Sequence, residues 1–218
     1  MTRDDWDRRY DTPELIWSGE PNRFLRAEAE GLAPGRALDL ACGEGRNAVW
    51  LAARGWDVTG VDFSGRALEK ARRLAAGQGV ALRLIEADLT EHVPAAGSAD
   101  LVAVLYLHLP APDRARVLAR AAGALAPGGV ILVVGHDLLN LTEGHGGPRD
   151  PAVLTTPEAV AAELPGLVIE RAERVRRPVS TDAGEVEAID TLVRASRRPQ
   201  DEVSRSRYAL KHTKTETC

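Results

Sequence analysis

Three acidic residues stand near the ends of apolar segments of this chain. Asp39 lies in the segment before a glycine-rich turn, Asp62 ends a second segment and Asp88 follows a third. Carboxylates accept hydrogen bonds from ammonium, hydroxyl and amino groups, so these residues are suited to a ligand that carries such donors. Ligands of open α/β sheets bind outside the carboxyl ends of the strands. The spacing therefore predicts one binding site at the ends of three successive strands.

The turn after Asp39 narrows the choice of ligand. Gly43 and Gly45 permit a tight turn and a close approach of backbone to ligand, and the helix behind them directs free N–H groups into the same space. Gly43-x-Gly45-x-x-Ala48 also fits the dinucleotide fingerprint, with Asp62 as the following acid. A carboxylate at Asp39 would repel a pyrophosphate, however. It favours S-adenosylmethionine, which has an ammonium and a sulfonium group but no phosphate, although an Asp at this place can also merely anchor the turn.

The order of apolar segments and turns predicts an α/β fold with a doubly wound, Rossmann-like sheet of seven strands. We expect the sheet to be mostly parallel with an antiparallel last strand, because the short connection at residues 176–184 favours a hairpin. The predicted strands are residues 37–41, 56–62, 82–86, 99–106, 130–134, 167–175 and 186–195. The predicted helices are residues 22–30, 46–54, 66–76, 112–125 and 155–164.

The composition is that of an ordinary globular protein with one α/β domain: 218 residues, 44% hydrophobic and 28% charged. The net charge of −4 gives no overall basic field for nucleic acid or an anionic membrane. The two cysteines give no disulfide framework. The charged N-terminus is no signal peptide, and no apolar run approaches the ~20 residues of a membrane span. We therefore expect a cytoplasmic protein with neither nucleic acid nor membrane as partner.

The segment Asp39-Leu40-Ala41-Cys42-Gly43-Glu44-Gly45 resembles the first motif of class I S-adenosylmethionine-dependent methyltransferases. Its continuation Arg46-Asn47 is similar to the branch that includes the tellurite-resistance and thiopurine-type enzymes. The resemblance covers about residues 6–197. It implies S-adenosylmethionine as the cofactor and a small molecule as the methyl acceptor, with a soft sulfur, selenium or tellurium nucleophile favoured by the branch.

The resemblance also divides the chain into three parts. Residues 1–34 correspond to an N-terminal cap segment and helix, and residues 35–198 to the methyltransferase domain. Residues 199–218 are polar without a periodic apolar face, which predicts a disordered tail. Residues 138–157 predict a long loop of the kind that often covers a site.

Aromatic residues are only 4% of the chain, yet Trp6, Tyr10 and Trp17 crowd into the segment before the first strand. In the resembled branch this segment folds over the cofactor, which implies a lid. Covering a bare edge of the core is the alternative role, and the two roles do not exclude each other. We expect Pro21 to lie in the first turn of the helix that follows.

The positions at the strand ends and the resemblance together predict the cofactor-binding residues. Asp62 is expected to accept the ribose hydroxyls, Phe63 to stack on the adenine and Asp88 to accept its amino group. The complete predicted set is Tyr10, Trp17, Asp39, Ala41, Gly43, Gly45, Asn47, Asp62, Phe63, Ala87, Asp88, Leu89 and Leu105.

The acceptor is expected where the first, fourth and fifth strands end. Its predicted walls and catalytic residues are Tyr106, His108 and His136, under a roof of Trp17 and the loop at residues 138–157. Methyl transfer is a direct displacement, so alignment supplies much of the rate. An oriented base made of His136 and Asp137 is the alternative, but capping of the strand end and turn by these residues is favoured. We therefore expect an acceptor that is already nucleophilic.

Two other classes of function remain open at this stage. A protein that senses S-adenosylmethionine without turnover would share the cofactor residues. An NAD(P)-dependent oxidoreductase would share the glycine turn, but Asp39 disfavours it. No metal is expected, because the spacing of His108, His136 and His145 matches no zinc motif.

Overall fold

The computed structural model describes residues 2–181 and 184–200 and confirms a seven-stranded sheet in the order β3-β2-β1-β4-β5-β7-β6. The strands are β1 (Arg36–Leu40), β2 (Asp57–Asp62), β3 (Arg83–Glu86), β4 (Ala99–Leu105), β5 (Leu125–His136), β6 (Val168–Thr181) and β7 (Gly184–Ser196). The helices are α1 (Arg3–Tyr10), α2 (Arg23–Ala29), α3 (Arg46–Ala52), α4 (Gly65–Gly77), α5 (Ala111–Ala124), α6 (Asn140–Glu143) and α7 (Pro157–Ala162). β1 to β5 pair in parallel, and β7 runs antiparallel to both β5 and β6.

The central strands are largely apolar because helices cover both faces of the sheet. One face buries Leu40, Leu118 and Ile131 in a common cluster, and the other buries Leu51 and Leu132. Close packing on both faces fixes the carboxyl ends of β1, β4 and β5, where the candidate site lies.

The glycine turn between β1 and α3 needs its glycines for two separate reasons. Gly43 and Gly45 both adopt positive φ, at 52° and 79°, which side chains disfavour. A Cβ on Gly45 would also lie 2.7 Å from the Cβ of Ala71 in α4. The second glycine therefore sets the close approach of α3 and α4.

The N-terminal segment contains a helix that the sequence pattern did not predict. α1 begins with a capping box, in which Thr2 and Asp5 satisfy each other's backbone N–H groups. α2 follows with Asn22 as its N-cap, so Pro21 precedes the helix instead of occupying its first turn. The charged sequence of α1 hides it, since few of its residues are apolar.

The last two strands are longer than predicted, and most of the predicted connection at residues 176–184 is strand. Pairing of β5 with β7 ends at His136 and Asp190, so residues 184–189 of β7 pair with β6 alone. The two strands thus continue beyond the sheet as a two-stranded ribbon. β6 is an exposed edge strand, and its run of charged residues conceals the strand pattern.

The segment at residues 138–157 is not a simple loop. It contains α6 and a 3₁₀ turn at Pro151–Val153. The side chain of Asn140 fastens it, because Oδ1 accepts from the Ile189 amide at 2.7 Å and Nδ2 donates to the Gly146 carbonyl at 2.8 Å.

Two further predictions concern the C-terminal tail and membrane-spanning helices. The predicted tail, residues 199–218, falls almost wholly outside the described residues. No helix in the described part of the chain is both long and apolar enough to cross a membrane.

Candidate functional site

A cavity of about 440 Å³ lies at the carboxyl ends of β1, β4 and β5, under the N-terminal segment. The ends of three parallel strands, the glycine turn and the cap each contribute to its wall. The structure brings together nine of the residues predicted from the sequence: Tyr10, Trp17, Ala41, Gly43, Asn47, Leu105, Tyr106, His108 and His136. The other predicted residues lie behind this wall or beyond it.

Asp39 lies behind the glycine turn and is 1% exposed. Its Oδ2 has no hydrogen-bond partner among the described residues. Burial, helped by the nearby charge of Asp62, raises the pKa of Asp39 to about 7. An unpartnered carboxylate oxygen in the interior is costly, and a ligand ammonium is a group that would satisfy it.

Asp62 holds the glycine turn in place. Its Oδ2 accepts from the Gly43 amide at 2.8 Å and its Oδ1 from the Ser64 amide at 2.9 Å. Burial raises the pKa of Asp62, against the effect of these two bonds. Each carboxylate oxygen has a second lone pair, so the side chain keeps acceptor capacity for ligand hydroxyls. Ser64 itself caps α4, because its side chain accepts from the Ala67 amide at 3.1 Å.

The predicted adenine residues lie along the neighbouring edge. Phe63 is half-buried, and the Arg3 guanidinium of α1 lies 5.9 Å from its ring centre. Asp88 is exposed, and its Oδ1 accepts from both the amide and the hydroxyl of Thr90 at 2.8 Å. The structure thus shows Asp88 capping the turn after β3. Ala87 is half-buried and Leu89 is buried beside it.

The N-terminal segment lies over this edge through polar contacts and ring stacking. Asp7 accepts from the Ser64 hydroxyl, and Asp11 pairs with Arg66 of α4 at 2.7 Å. The rings of Trp6 and Tyr10 stack at 5.6 Å. The Tyr10 hydroxyl reaches the glycine turn, since a Cβ on Gly43 would lie only 3.0 Å from it. The cap therefore closes one side of the cavity.

A buried ion pair that the sequence analysis missed fastens the cap. Glu44 and Lys70 lie 2.9 Å apart, and both side chains are 3% exposed. The Glu44 carboxylate also accepts from the amides of Ile16 and Trp17, while Lys70 donates to the Glu14 carbonyl at 2.6 Å. We call Glu44 and Lys70 the latch. Lys70 gives no signal in the sequence, because a lysine on a helix is normally solvated.

The predicted catalytic residues form one aromatic cluster. The ring of His136 lies 4.8 Å from that of Tyr106 and 5.6 Å from that of His108, and Trp6 lies 6.0 Å from His108. Burial and the proximity of His136 lower the pKa of His108 to about 4, so His108 is neutral near pH 7. Its Nε2 is buried with no partner in the described part of the chain.

The carboxylate beside His136 is Asp190, not Asp137. Asp190 is fully buried in β7, and its Oδ1 lies 3.2 Å from His136 Nδ1. Its Oδ2 accepts from the Tyr106 hydroxyl at 2.8 Å and from Arg177 Nε at 2.6 Å. Asp137 instead caps its own turn, accepting from the Leu139 amide at 2.9 Å. An acid inside a buried strand was the available signal for Asp190.

The predicted roof is only half correct. Trp17 lines the cavity, but no described residue of 138–157 does. That segment supports His136 from behind instead, since a Cβ on Gly147 would lie 2.9 Å from His136 Nδ1. The ribbon contributes Arg177 and Pro178 to the wall of the cavity. The charged sequence of β6 conceals this part of the wall, since it predicts a connection and not a strand.

Residues 37–129 match a family model described as "Methyltransferase domain". One curated relative is a ribosomal RNA small subunit methyltransferase C from Alcanivorax borkumensis, 35% identical over 47% of this chain and 33% of its own length. Another is a ubiquinone biosynthesis O-methyltransferase from Pectobacterium carotovorum, 34% identical over 49% of this chain and 45% of its own length. The chain thus spans between a third and a half of these two relatives.

Solved structures with a similar fold cover most of the chain. One, titled "Conversion of a Disulfide Bond into a Thioacetal Group during Echinomycin Biosynthesis", has a TM-score of 0.76 and 22% identity, with 97% of this chain and 98% of that chain covered. The N-methyltransferase NodS from Bradyrhizobium japonicum, in complex with S-adenosylhomocysteine, has a TM-score of 0.68 and 18% identity, with 89% and 97% covered.

TehB from Haemophilus influenzae also shares the fold, with a TM-score of 0.67 and 15% identity over 90% of this chain and 67% of that chain. At these identities the structures describe the fold, while the match over residues 37–129 describes the domain. The chain therefore contains a methyltransferase domain at residues 37–129, within a fold that it shares with these solved structures.

Proposed function

We propose that this protein transfers the methyl group of S-adenosylmethionine to a small molecule whose nucleophile is a soft atom, with sulfur the first choice. The observation that carries the proposal is the single cavity that the glycine turn shares with Tyr106, His108 and His136. A donor held on the turn would present its methyl group toward the aromatic cluster. Alignment of nucleophile, methyl carbon and sulfonium sulfur is what such a displacement requires.

The residues around the turn fit the methionine end of the cofactor. The unpartnered Oδ2 of Asp39 suits the ammonium group. Arg46 lines the cavity and has no ion pair among the described residues, which suits the carboxylate. Asp62 suits the ribose hydroxyls, and Phe63 with Asp88 suits the adenine. The carboxylate of Asp39 would repel the pyrophosphate of a dinucleotide, which disfavours that ligand.

Several observations support a small molecule as the acceptor. The cap closes one side of the cavity, and the net charge of −4 offers no general attraction for nucleic acid. The soft nucleophile is supported by the resemblance of the Arg46-Asn47 motif and by the neighbour whose title names disulfide and thioacetal chemistry. Relatives with other kinds of acceptor in their names make the acceptor the first property to measure.

We further propose a role for His136 when the acceptor arrives as a thiol. The thiol proton passes to His136, a sulfur lone pair attacks the methyl carbon, and the bond from that carbon to the sulfonium sulfur breaks to give S-adenosylhomocysteine. Asp190 Oδ1 lies 3.2 Å from His136 Nδ1 without forming a hydrogen bond, so its negative charge would stabilise the protonated ring. Acceptors that are already anionic need alignment alone.

The test is a panel of small acceptors with methyl-labelled S-adenosylmethionine, read by mass spectrometry. We expect label in thiol or selenol acceptors and none in oligonucleotides. A parallel measurement compares the melting temperature with S-adenosylhomocysteine and with NADH, because a ligand that binds the native state stabilises it by mass action. Stabilisation by NADH and not by S-adenosylhomocysteine would contradict the proposal.

A further inference from the structure

The wall of the cavity carries positive charge that no residue of the wall compensates. Arg23, Arg46 and Arg177 line it, and Glu44 is the one acid among its described lining residues. Glu44 is already paired with Lys70 at 2.9 Å. Behind the wall, Asp190 lies 2.6 Å from Arg177 Nε and the charge of Asp39 acts on Arg46, which leaves Arg23 without a described carboxylate partner.

Each of these guanidinium groups has donors to spare. Arg46 forms no ion pair within residues 2–181 and 184–200, and the one described contact of Arg23 is with the Phe24 ring at 5.9 Å. Arg177 gives its Nε to Asp190 at 2.6 Å, and its two terminal nitrogens have no other carboxylate partner in the described chain. A guanidinium fork with free terminal nitrogens is a typical partner for a carboxylate or a phosphate.

The cofactor would add to the positive charge. S-adenosylmethionine carries a sulfonium and an ammonium against one carboxylate, so its net charge is positive. The carboxylate of S-adenosylmethionine pairs with one guanidinium group. Arg46 is the candidate, because it directly follows the glycine turn in the sequence. Arg23 and Arg177 then still face the acceptor side, and opposite charge from the acceptor would offset the repulsion.

We propose that the acceptor carries an oxyanion, a carboxylate or a phosphate, which Arg177 binds with Arg23 at the mouth of the cavity. Arg177 is placed for this because its guanidinium lies 5.8 Å from the Tyr106 ring centre, beside the acceptor walls, and is positioned by Asp190. The inference rests on the proposed function, since that assigns this part of the cavity to the acceptor. It selects among acceptors by charge and is independent of which atom receives the methyl group.

The test measures binding to the full chain saturated with S-adenosylhomocysteine, read by tryptophan fluorescence, since Trp6 and Trp17 line the cavity. The probes are benzoate, phenyl phosphate and the neutral benzamide. We expect one of the two anions to bind at least about tenfold tighter than benzamide, as for a charged hydrogen bond of about 1.5 kcal/mol. Its affinity should fall as salt rises. Whichever anion binds tighter identifies the oxyanion as carboxylate or phosphate.

The variants Arg177→Gln and Arg23→Gln locate the site. Each should weaken binding of the preferred anion, Arg177→Gln by about tenfold, with little change for benzamide. Arg26→Gln is the matched control, because Arg26 is exposed on α2, the helix that carries Arg23, and lies outside the cavity lining. Because Arg177 also contacts Asp190, the affinity for S-adenosylhomocysteine is measured for every variant.

Two outcomes overturn the inference while S-adenosylhomocysteine still binds and the proposed function stands. One is benzamide binding as tightly as both anions. The other is anion binding that survives in Arg177→Gln and in Arg23→Gln. Failure of the wild-type protein to bind S-adenosylhomocysteine refutes the proposed function instead, and the inference with it.

Discussion

At the scale of single residues, Asp39 is where burial and charge conflict most. Its carboxyl group is 1% exposed, has an unpartnered oxygen and has its pKa raised to about 7. A raised carboxyl pKa favours the folded state while the group is protonated. That contribution is present below the unfolded value near 4 and is lost as the pH rises through 7. The ammonium of the cofactor would restore a partner for the ionised form.

Asp39→Asn tests this conflict. The melting temperature of the ligand-free wild type should fall, relative to the variant, as the pH rises from about 4 to about 7. Binding of S-adenosylhomocysteine should weaken in the variant by about 1.5–3 kcal/mol at pH 8, as for a hydrogen bond between charged groups. Differential scanning fluorimetry across pH and calorimetric titration provide the two measurements. An unchanged affinity would mean that Asp39 only anchors the turn.

His136→Ala and Asp190→Asn separate base catalysis from alignment. With a thiol acceptor at pH 7, we expect turnover to fall by about 10²–10⁴-fold in His136→Ala, the range for a lost general base. Turnover should recover toward the wild-type value as the pH passes the pKa of the thiol. Asp190→Asn should show the same pH dependence with a smaller loss. A small loss in His136→Ala at every pH would support catalysis by alignment alone, and a large loss at every pH would indicate a structural role.

At the scale of elements, the cap is attached to the domain mainly by polar groups. Tyr10 is its one buried apolar residue among residues 2–20, and neither core cluster includes any residue before Phe24. Its position therefore depends on the latch, on Asp7 with Ser64 and on Asp11 with Arg66. Of these contacts, only the latch is withdrawn from water on both sides, so it has the largest energetic effect.

Glu44→Gln should destabilise the protein by about 3–5 kcal/mol, because it leaves the Lys70 ammonium buried without its counter-charge. The double change of Glu44→Leu with Lys70→Met should cost less than this single change, because it removes both buried charges. Chemical denaturation measures both, with Asp11→Asn as the control for an exposed ion pair of the same cap. A double variant less stable than Glu44→Gln would show that the backbone bonds of Glu44 dominate.

At the scale of the whole molecule, the sequence predicts the structure best for strands that are buried on both faces of the sheet. β1 and β4 are buried on both faces, so their apolar runs mark them, and a ligand site at the glycine turn after β1 follows from the binding rule of such sheets. The seven-stranded sheet with an antiparallel end is confirmed for the same reason. The glycine turn lies between β1 and α3, as the strand–turn–helix pattern predicts.

The remaining features depend on contacts between distant parts of the chain. Asp190 belongs to an apolar strand, and nothing near it in the sequence shows that His136 will face it. The latch joins a glycine turn to a lysine in α4, whose burial is decided by the cap. The sequence predicts a connection at the ribbon because β6 is charged along its exposed face, which hides the strand pattern. Charged residues and a proline on an edge strand also discourage pairing with a second chain. The composition of β6 therefore reflects the need to avoid such pairing.

Removal of residues 1–20 tests the cap in the context of the whole chain. We expect the truncated protein to keep its circular dichroism spectrum, because both core clusters remain, and to lose methyl transfer, because the site opens to water. Activity measured beside the spectrum distinguishes the two roles of the cap. Full activity would refute the lid, and an unfolded product would show that the aromatic residues cover the core.

The strand order has a consequence for folding during synthesis on the ribosome. β7 lies between β5 and β6, although β6 leaves the ribosome first. β6 therefore has no place in the sheet until β7 has emerged and inserted, and until then His136 has no carboxylate beside it and the cavity has no ribbon wall. The glycine turn and its three neighbouring strands are complete much earlier. A nascent chain can thus assemble the glycine-turn side of the cavity before its ribbon side, which is complete only when β7 has joined the sheet.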